Sequence, residues 1–172
     1  QQSLNYNAHD LNLRARSFLN IGSSHIILGH YKKSEEYFLK ALATANEADD
    51  MNMIALAHLE LGRLRAQQEN YNEAKSYYNL ALEQFRRLND KGRMASIYHN
   101  VALIDLWQKQ YDNAITGFNS ALELMKDIDS PFNQASSLYQ LGITYFEKGE
   151  FSKSESYLLE VNAIYDTLGN LN

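Results

Sequence analysis

Four polar side chains stand at a fixed interval of 40 residues: Asn20, Glu60, Asn100 and Gln140. All four carry acceptor oxygens, and the three amides donate and accept at once, as the backbone of an extended peptide requires of a surface that binds it. Catalytic chemistry is thin by comparison. The chain has no Gly-x-Ser-x-Gly, no Gly-x-x-x-x-Gly-Lys phosphate loop and no His-Glu-x-x-His. His9, His25, His30, His58 and His99 are scattered, with no two at the i,i+4 spacing that would offer a metal one helix face. The absence of cysteine removes thiol catalysis, disulfides and Cys-based zinc sites together. Carboxylate pairs such as Glu35-Glu36 and Asp49-Asp50 fall on an expected exposed helix face or at a cap. No catalytic residue, metal or cofactor is implied, and the chain reads as a non-enzymatic binder.

The elements that must position the polar column follow from its period. Tyr31, Tyr71, Tyr111 and Phe151 share the interval of 40, as do Phe38, Tyr78, Phe118 and Leu158. Ile21, Leu61, Val101 and Leu141 line up, each followed by a small residue: Gly22, Gly62, Ala102 and Gly142. Ser34, Ala74, Ala114 and Ser154 repeat, and so do Ala41, Ala81, Ala121 and Val161. Four copies of one unit fill the 172 residues. Apolar residues recur at three- and four-residue steps without alternation, so each unit is two helices. Asp10, Asp50, Asp90, Ser130 and Asn170 form a column of N-caps, with Pro131 at a first helical position. First helices are predicted over 11–28, 51–68, 91–108 and 131–148, and second helices over 33–48, 73–88, 113–128 and 153–168. The small column marks where the helices of each hairpin cross, and Tyr31 and its equivalents are expected to fill the space beside the turn.

The organisation predicted is one array: residues 1–10 as the end of a preceding repeat and its linker, repeats over 11–50, 51–90, 91–130 and 131–169, and 170–172 as the start of a following repeat. An apolar stripe on the last helix, including Tyr157, Leu158, Val161 or Ile164, is expected to be left for a next repeat. The net charge of −5 argues against a nucleic-acid partner. No apolar run reaches the length of a membrane span, and a cytoplasmic setting is expected.

The columns resemble the tetratricopeptide repeat in its branch with a 40-residue period, with His58-x-x-Leu61-Gly62 followed by Ala74-x-x-x-Tyr78 and Ala81 as the nearest copy. Phe18-x-x-Ile21-Gly22 and Leu138-x-x-Leu141-Gly142 follow with modest substitutions; Tyr98-x-x-Val101-Ala102 departs furthest. The resemblance implies an all-α, right-handed solenoid of four helix-turn-helix repeats that binds a peptide or protein segment in a groove lined by first helices, within a larger signalling or regulatory protein of bacterial type. It also implies that an Asn two positions before the Gly contacts the ligand backbone, which Asn20 and Asn100 match.

The face of each first helix opposite its buried side carries Arg16, Asn20, Ser23 and Ile27; Leu56, Glu60, Arg63 and Gln67; Ser96, Asn100, Leu103 and Trp107; and Ser136, Gln140, Ile143 and Glu147. Trp107 stands out, because an indole on a solvent-facing surface is a common binding anchor; packing against the adjacent repeat is the alternative. First-helix spans hold Arg14, Arg16, Arg63, Arg65, Lys91, Arg93 and Lys148 against Glu60, Asp105 and Glu147. A mildly basic groove would favour a ligand with acidic side chains or a free carboxylate. The alternative is a sensor or oligomerisation segment packed on a neighbouring domain or a second copy.

Overall fold

The computed structural model describes residues 2–128 and 130–169, with side chains described from residue 9 onward. Among them the chain is all-α: α1 Gln2–Ile27, α2 Tyr31–Glu47, α3 Met51–Gln67, α4 Tyr71–Arg87, α5 Lys91–Trp107, α6 Tyr111–Asp127, α7 Pro131–Glu147 and α8 Phe151–Gly169. They pair as four hairpins, α1 with α2, α3 with α4, α5 with α6 and α7 with α8. Two compact units result, Gln1–Asn89 and Asp90–Asn172, each of two hairpins.

The helix starts are partly those expected. The Asp50 carboxylate accepts from the Met53 amide at 3.0 Å and Asp90 from the Arg93 amide at 2.9 Å, while Ser130 caps α7 through its backbone position ahead of Pro131. Asp10 is a correction: α1 runs unbroken through it, so there is no linker at that point and no first-helix start at residue 11. The Asn170 cap lies outside the described residues. Second helices begin two residues earlier than expected, at Tyr31, Tyr71, Tyr111 and Phe151. These aromatics therefore sit at the first helical position, where Tyr71 and Tyr111 are half-buried and Tyr31 and Phe151 exposed, Phe151 at 63%.

The early starts have a backbone cause. Six of the turns need only three residues, because the middle one is left-handed: Gly29, Asp49, Glu69, Asn89, Lys109 and Gly149 all have φ between 50° and 85°. Around Gly29 its amide donates to the Ile26 carbonyl and that of His30 to the His25 carbonyl, both at 2.9 Å, which satisfies the last carbonyls of the helix. The same pair of bonds recurs around Asp49, Glu69, Lys109 and Gly149. Four of the six residues have a β-carbon, which a left-handed backbone tolerates at roughly 1–2 kcal/mol. Lys109→Gly is expected to stabilise the chain by about 0.5–1 kcal/mol, the relief exceeding the added chain entropy. Gly149→Ala should cost about as much, and thermal melts of the two variants give shifts of opposite sign.

Packing inside each hairpin turns on the small column. A β-carbon placed on Gly22 would lie 2.5 Å from the Phe38 ring, on Gly62 2.7 Å from the Tyr78 ring, and on Gly142 2.8 Å from Leu158. The third hairpin solves the problem from the other side. Ala102 replaces the glycine, and Gly117 of α6 faces it, so that a β-carbon on Gly117 would stand 2.8 Å from that of Ala102. The other three hairpins carry tyrosine at the position of Gly117. There Tyr37 stacks on His25 with centroids 5.6 Å apart, Tyr77 on His58 at 6.2 Å and Tyr157 on Tyr145 at 5.4 Å. His25 and His58 are thus packing residues, as their columns suggested.

In the first unit α3 lies on α1 and α2, and Met53, Ala57, Leu61 and Leu64 share one core with Ala15, Leu19, Phe38, Ala41 and Ala45. In the second unit α7 lies on α5 and α6, where Ala135, Leu138 and Leu141 join Ala102, Ala114, Phe118 and Leu122. Val161 completes that core, and Tyr157, Leu158 and Ile164 are half-buried. The apolar residues of α8 left open are instead Phe151, Leu159 and Tyr165. Of the expected stripe, Tyr157 and Ile164 pack on this core, whereas Leu158 and Val161 also line an open groove with Tyr165.

Candidate ligand face of the first helices

With the crossing residues buried, the face of each first helix turned away from them is open. In the first unit Arg16, Asn20, Arg63 and Gln67 are exposed, and Ser23 and Glu60 half-buried. In the second unit Asn100, Leu103, Gln140 and Ile143 are half-buried, and Trp107 is 55% exposed. No side chain of the expected face is fully buried. Leu56 and Leu103 lean on the cores below them, so the apolar members are anchored while the polar ones reach solvent. Asn100, Leu103 and Trp107 follow one another at three- and four-residue steps on α5 and share one side of it.

Between α5 and α7, Asn100 helps line a small concavity of about 120 Å³ with Ser96, His99, Asn133 and Ser136. Sequence analysis did not single out Asn133. Its signal was position alone, since it precedes the buried α7 stripe by four residues. The concavity gathers amides and hydroxyls beside a half-buried imidazole. His99 lies edge-on to Phe118 at 5.3 Å, with its Nδ1 2.9 Å from the Ser137 hydroxyl. Burial holds the His99 pKa below its ordinary 6.5. The unfolded chain therefore takes up a proton below about pH 6.5 that the folded chain refuses, and stability falls with the pH. His99→Leu, the residue found at the equivalent positions 19 and 59, should flatten this acid limb in melts from pH 7.5 to 5. Part of the slope will remain, because burial lowers His58 as well.

The basic lining expected from first-helix charges is largely compensated. Arg63 pairs with Glu60 at 3.2 Å, Lys91 with Asp127 at 2.8 Å, Arg93 with Asp90, and Lys148 with Asp112 at 2.8 Å and Glu150 at 3.0 Å. These bonds raise the Lys148 pKa. Glu35, expected on an exposed helix face, is instead half-buried and paired with Arg65, one of the first-helix charges. The Arg65 guanidinium, with its side chain 14% exposed, binds Glu35 of α2 through two nitrogens and Glu73 of α4 at 2.6 Å. The hydrogen bonds from Arg65 hold the Glu35 carboxyl below its ordinary range. The missed signal was the column itself, which Arg65 shares with the packing residues His25 and Tyr145.

Among the described residues no group of three or more His, Asp or Glu side chains could hold a metal ion. No described helix is long and apolar enough to cross a membrane.

Comparison with known proteins agrees with this geometry. No curated protein matches the chain. Among solved structures, BtubC from P. vanneervenii aligns at a TM-score of 0.83 and 22% identity over 92% of this chain and 66% of its own. Aspartyl phosphate phosphatase F from Bacillus subtilis aligns at 0.87 and 18% identity over 92% of this chain and 42% of its own. A Rap protein complexed with competence and sporulation factor aligns at 0.79 and 15% identity over 90% of this chain and 44% of its own. The chain thus spans between about two fifths and two thirds of these proteins, and at such identities the likeness is one of fold. A family model described as tetratricopeptide repeat matches residues 13–87 and again 93–167, and with four helical hairpins in a 40-residue register the chain belongs to the tetratricopeptide repeat family.

Proposed function

We propose that this chain is a non-catalytic scaffold that binds a peptide or protein segment along the exposed face of its first helices, in a signalling or regulatory protein. Trp107 carries the reading: a large apolar side chain 55% exposed on the same side of α5 as Asn100 and Leu103 has the area and the access of a binding anchor. The repeats supply Asn20, Asn100 and Gln140 for the ligand backbone. Ser23, Gln67 and Ile143 flank these contacts. Arg16, exposed, suits an acidic side chain or a free carboxylate in that ligand. The Rap protein bound to competence and sporulation factor offers a precedent within the same fold.

The test is selection from a displayed library of linear peptides, followed by titration of the enriched peptide. Asn20→Ala and Asn100→Ala should each weaken binding by about 1–2 kcal/mol, the scale of hydrogen bonds lost at an interface. Both side chains lie outside the cores, so melting temperatures should hold within a degree or two. Unaltered affinity in both variants, with Trp107→Ala also neutral, would remove the assigned face.

A further inference from the structure

The concavity between α5 and α7 departs from what the repeat needs. Its walls are Ser96, His99 and Asn100 of α5, Met125 of α6, and Asn133 and Ser136 of α7. The 40-residue register, taken twice, sets Leu19, Ala45, Met53 and Leu56 of the first unit in the places of His99, Met125, Asn133 and Ser136. There Leu19, Ala45 and Met53 are buried in one core and Leu56 packs against it. Stacking of one hairpin on the next is thus satisfied by apolar residues at these positions, and three of them are polar together in the second unit.

The polar groups on the walls are only partly used within the protein. The Ser96 hydroxyl donates to the Gly92 carbonyl at 3.1 Å and the Asn133 amide to the Ser130 hydroxyl at 2.7 Å, which leaves the Ser96 and Asn133 oxygens as acceptors. Nδ1 of His99 is taken by buried Ser137 at 2.9 Å, leaving Nε2. The Asn100 amide and the Ser136 hydroxyl, on the same walls, both donate and accept. No wall residue carries a charge near neutral pH, since burial holds His99 below its ordinary pKa. The volume of about 120 Å³ is well above the roughly 10–15 Å³ that one water needs, and it admits a group of a few heavy atoms.

These walls select among side chains. A carboxylate only accepts, and its oxygens would face those of Ser96 and Asn133 with no cation to offset them. An ammonium only donates and would meet no carboxylate. An aliphatic group would leave the amides and hydroxyls unpaired, and a hydroxyl has one hydrogen to give where two acceptors stand. A primary amide has two N–H donors for the Ser96 and Asn133 oxygens and a carbonyl to accept from Asn100 or Ser136.

We propose that this pocket is a subsite for the primary amide of an asparagine or glutamine side chain in the segment bound along the first helices, an inference that rests on the ligand face proposed above. A displayed library of random linear peptides selected against the 172-residue chain should enrich Asn or Gln at one fixed position. Synthetic copies of an enriched peptide with that residue changed to its carboxylate counterpart, or to leucine or methionine of similar shape, should bind about tenfold or more weaker, the scale of buried polar groups left unpaired. The uncharged copy separates the pocket from any general repulsion of acidic peptides. Asn133→Met combined with Ser136→Leu, which installs the first unit's residues, should abolish the difference among the copies. Both side chains are exposed, so the melting temperature should not fall. Enriched peptides without a preferred amide position, copies that bind alike, or a difference that survives the filled pocket would overturn the subsite and leave the ligand face standing. A library that enriches nothing would overturn both.

Discussion

Gly62→Leu is expected to destabilise the chain by roughly 3 kcal/mol or more, the upper end of what added volume costs in a packed interior. A β-carbon there would lie 2.7 Å from two atoms of the Tyr78 ring and 3.3 Å from the Ala74 carbonyl oxygen. Tyr78 is 2% exposed and has no room to withdraw. Leucine offers up to about 1 kcal/mol in helix propensity over glycine, too little to offset the overlap. Gly92 supplies the control: a β-carbon there meets nothing closer than 3.6 Å, so Gly92→Ala should be neutral or slightly stabilising. In the third hairpin Gly117→Ala should destabilise, and Ala102→Gly in the same chain should recover much of the loss. Chemical denaturation of these four variants decides whether the crossings are assigned correctly; equal effects of Gly62→Leu and Gly92→Ala would show that they are not.

Arg65→Ala is expected to cost about 1–2 kcal/mol. Breaking a fully buried ion pair costs roughly 3–5 kcal/mol, but the side chains of Glu35 and Glu73 are 33% and 55% exposed, and water screens what remains of them. The loss should depend on pH in a definite direction. Because Arg65 depresses the Glu35 pKa below its ordinary 4.5, the pair contributes fully above that value, and its contribution is lost as pH falls through the lowered one. Melts of parent and variant should therefore differ most near neutrality and converge in acid. A constant difference from pH 7 to pH 3 would mean that Arg65 acts through its aliphatic stem rather than its charge.

Period, hairpins and crossings were legible in the sequence because each rests on one residue type repeated in one column: Gly22, Gly62 and Gly142 opposite Phe38, Tyr78 and Leu158. The turns were harder to read. Glu69 and Lys109 take a left-handed backbone with no glycine to signal it, so α4 and α6 looked two residues shorter than they are. Asp10 has the type and column of a cap, yet a cap works only where the helix begins, and α1 begins earlier. Arg65 and Glu35 were missed for a related reason: opposite charges satisfy each other across α2 and α3, and pattern alone reads a charge as solvated. The candidate face was legible through helical geometry, since the side opposite a known packing column is fixed by 3.6 residues per turn. How its charges pair was not.

The central claim, a ligand face on the first helices, is tested most directly by measuring affinity and melting temperature together on Trp107→Ala with a selected peptide. The account predicts binding weakened tenfold or more, equivalent to about 1.4 kcal/mol or above, with the melting temperature unchanged. A lowered melting temperature with affinity intact would contradict it, because Trp107 would then be a packing residue and the face without its anchor.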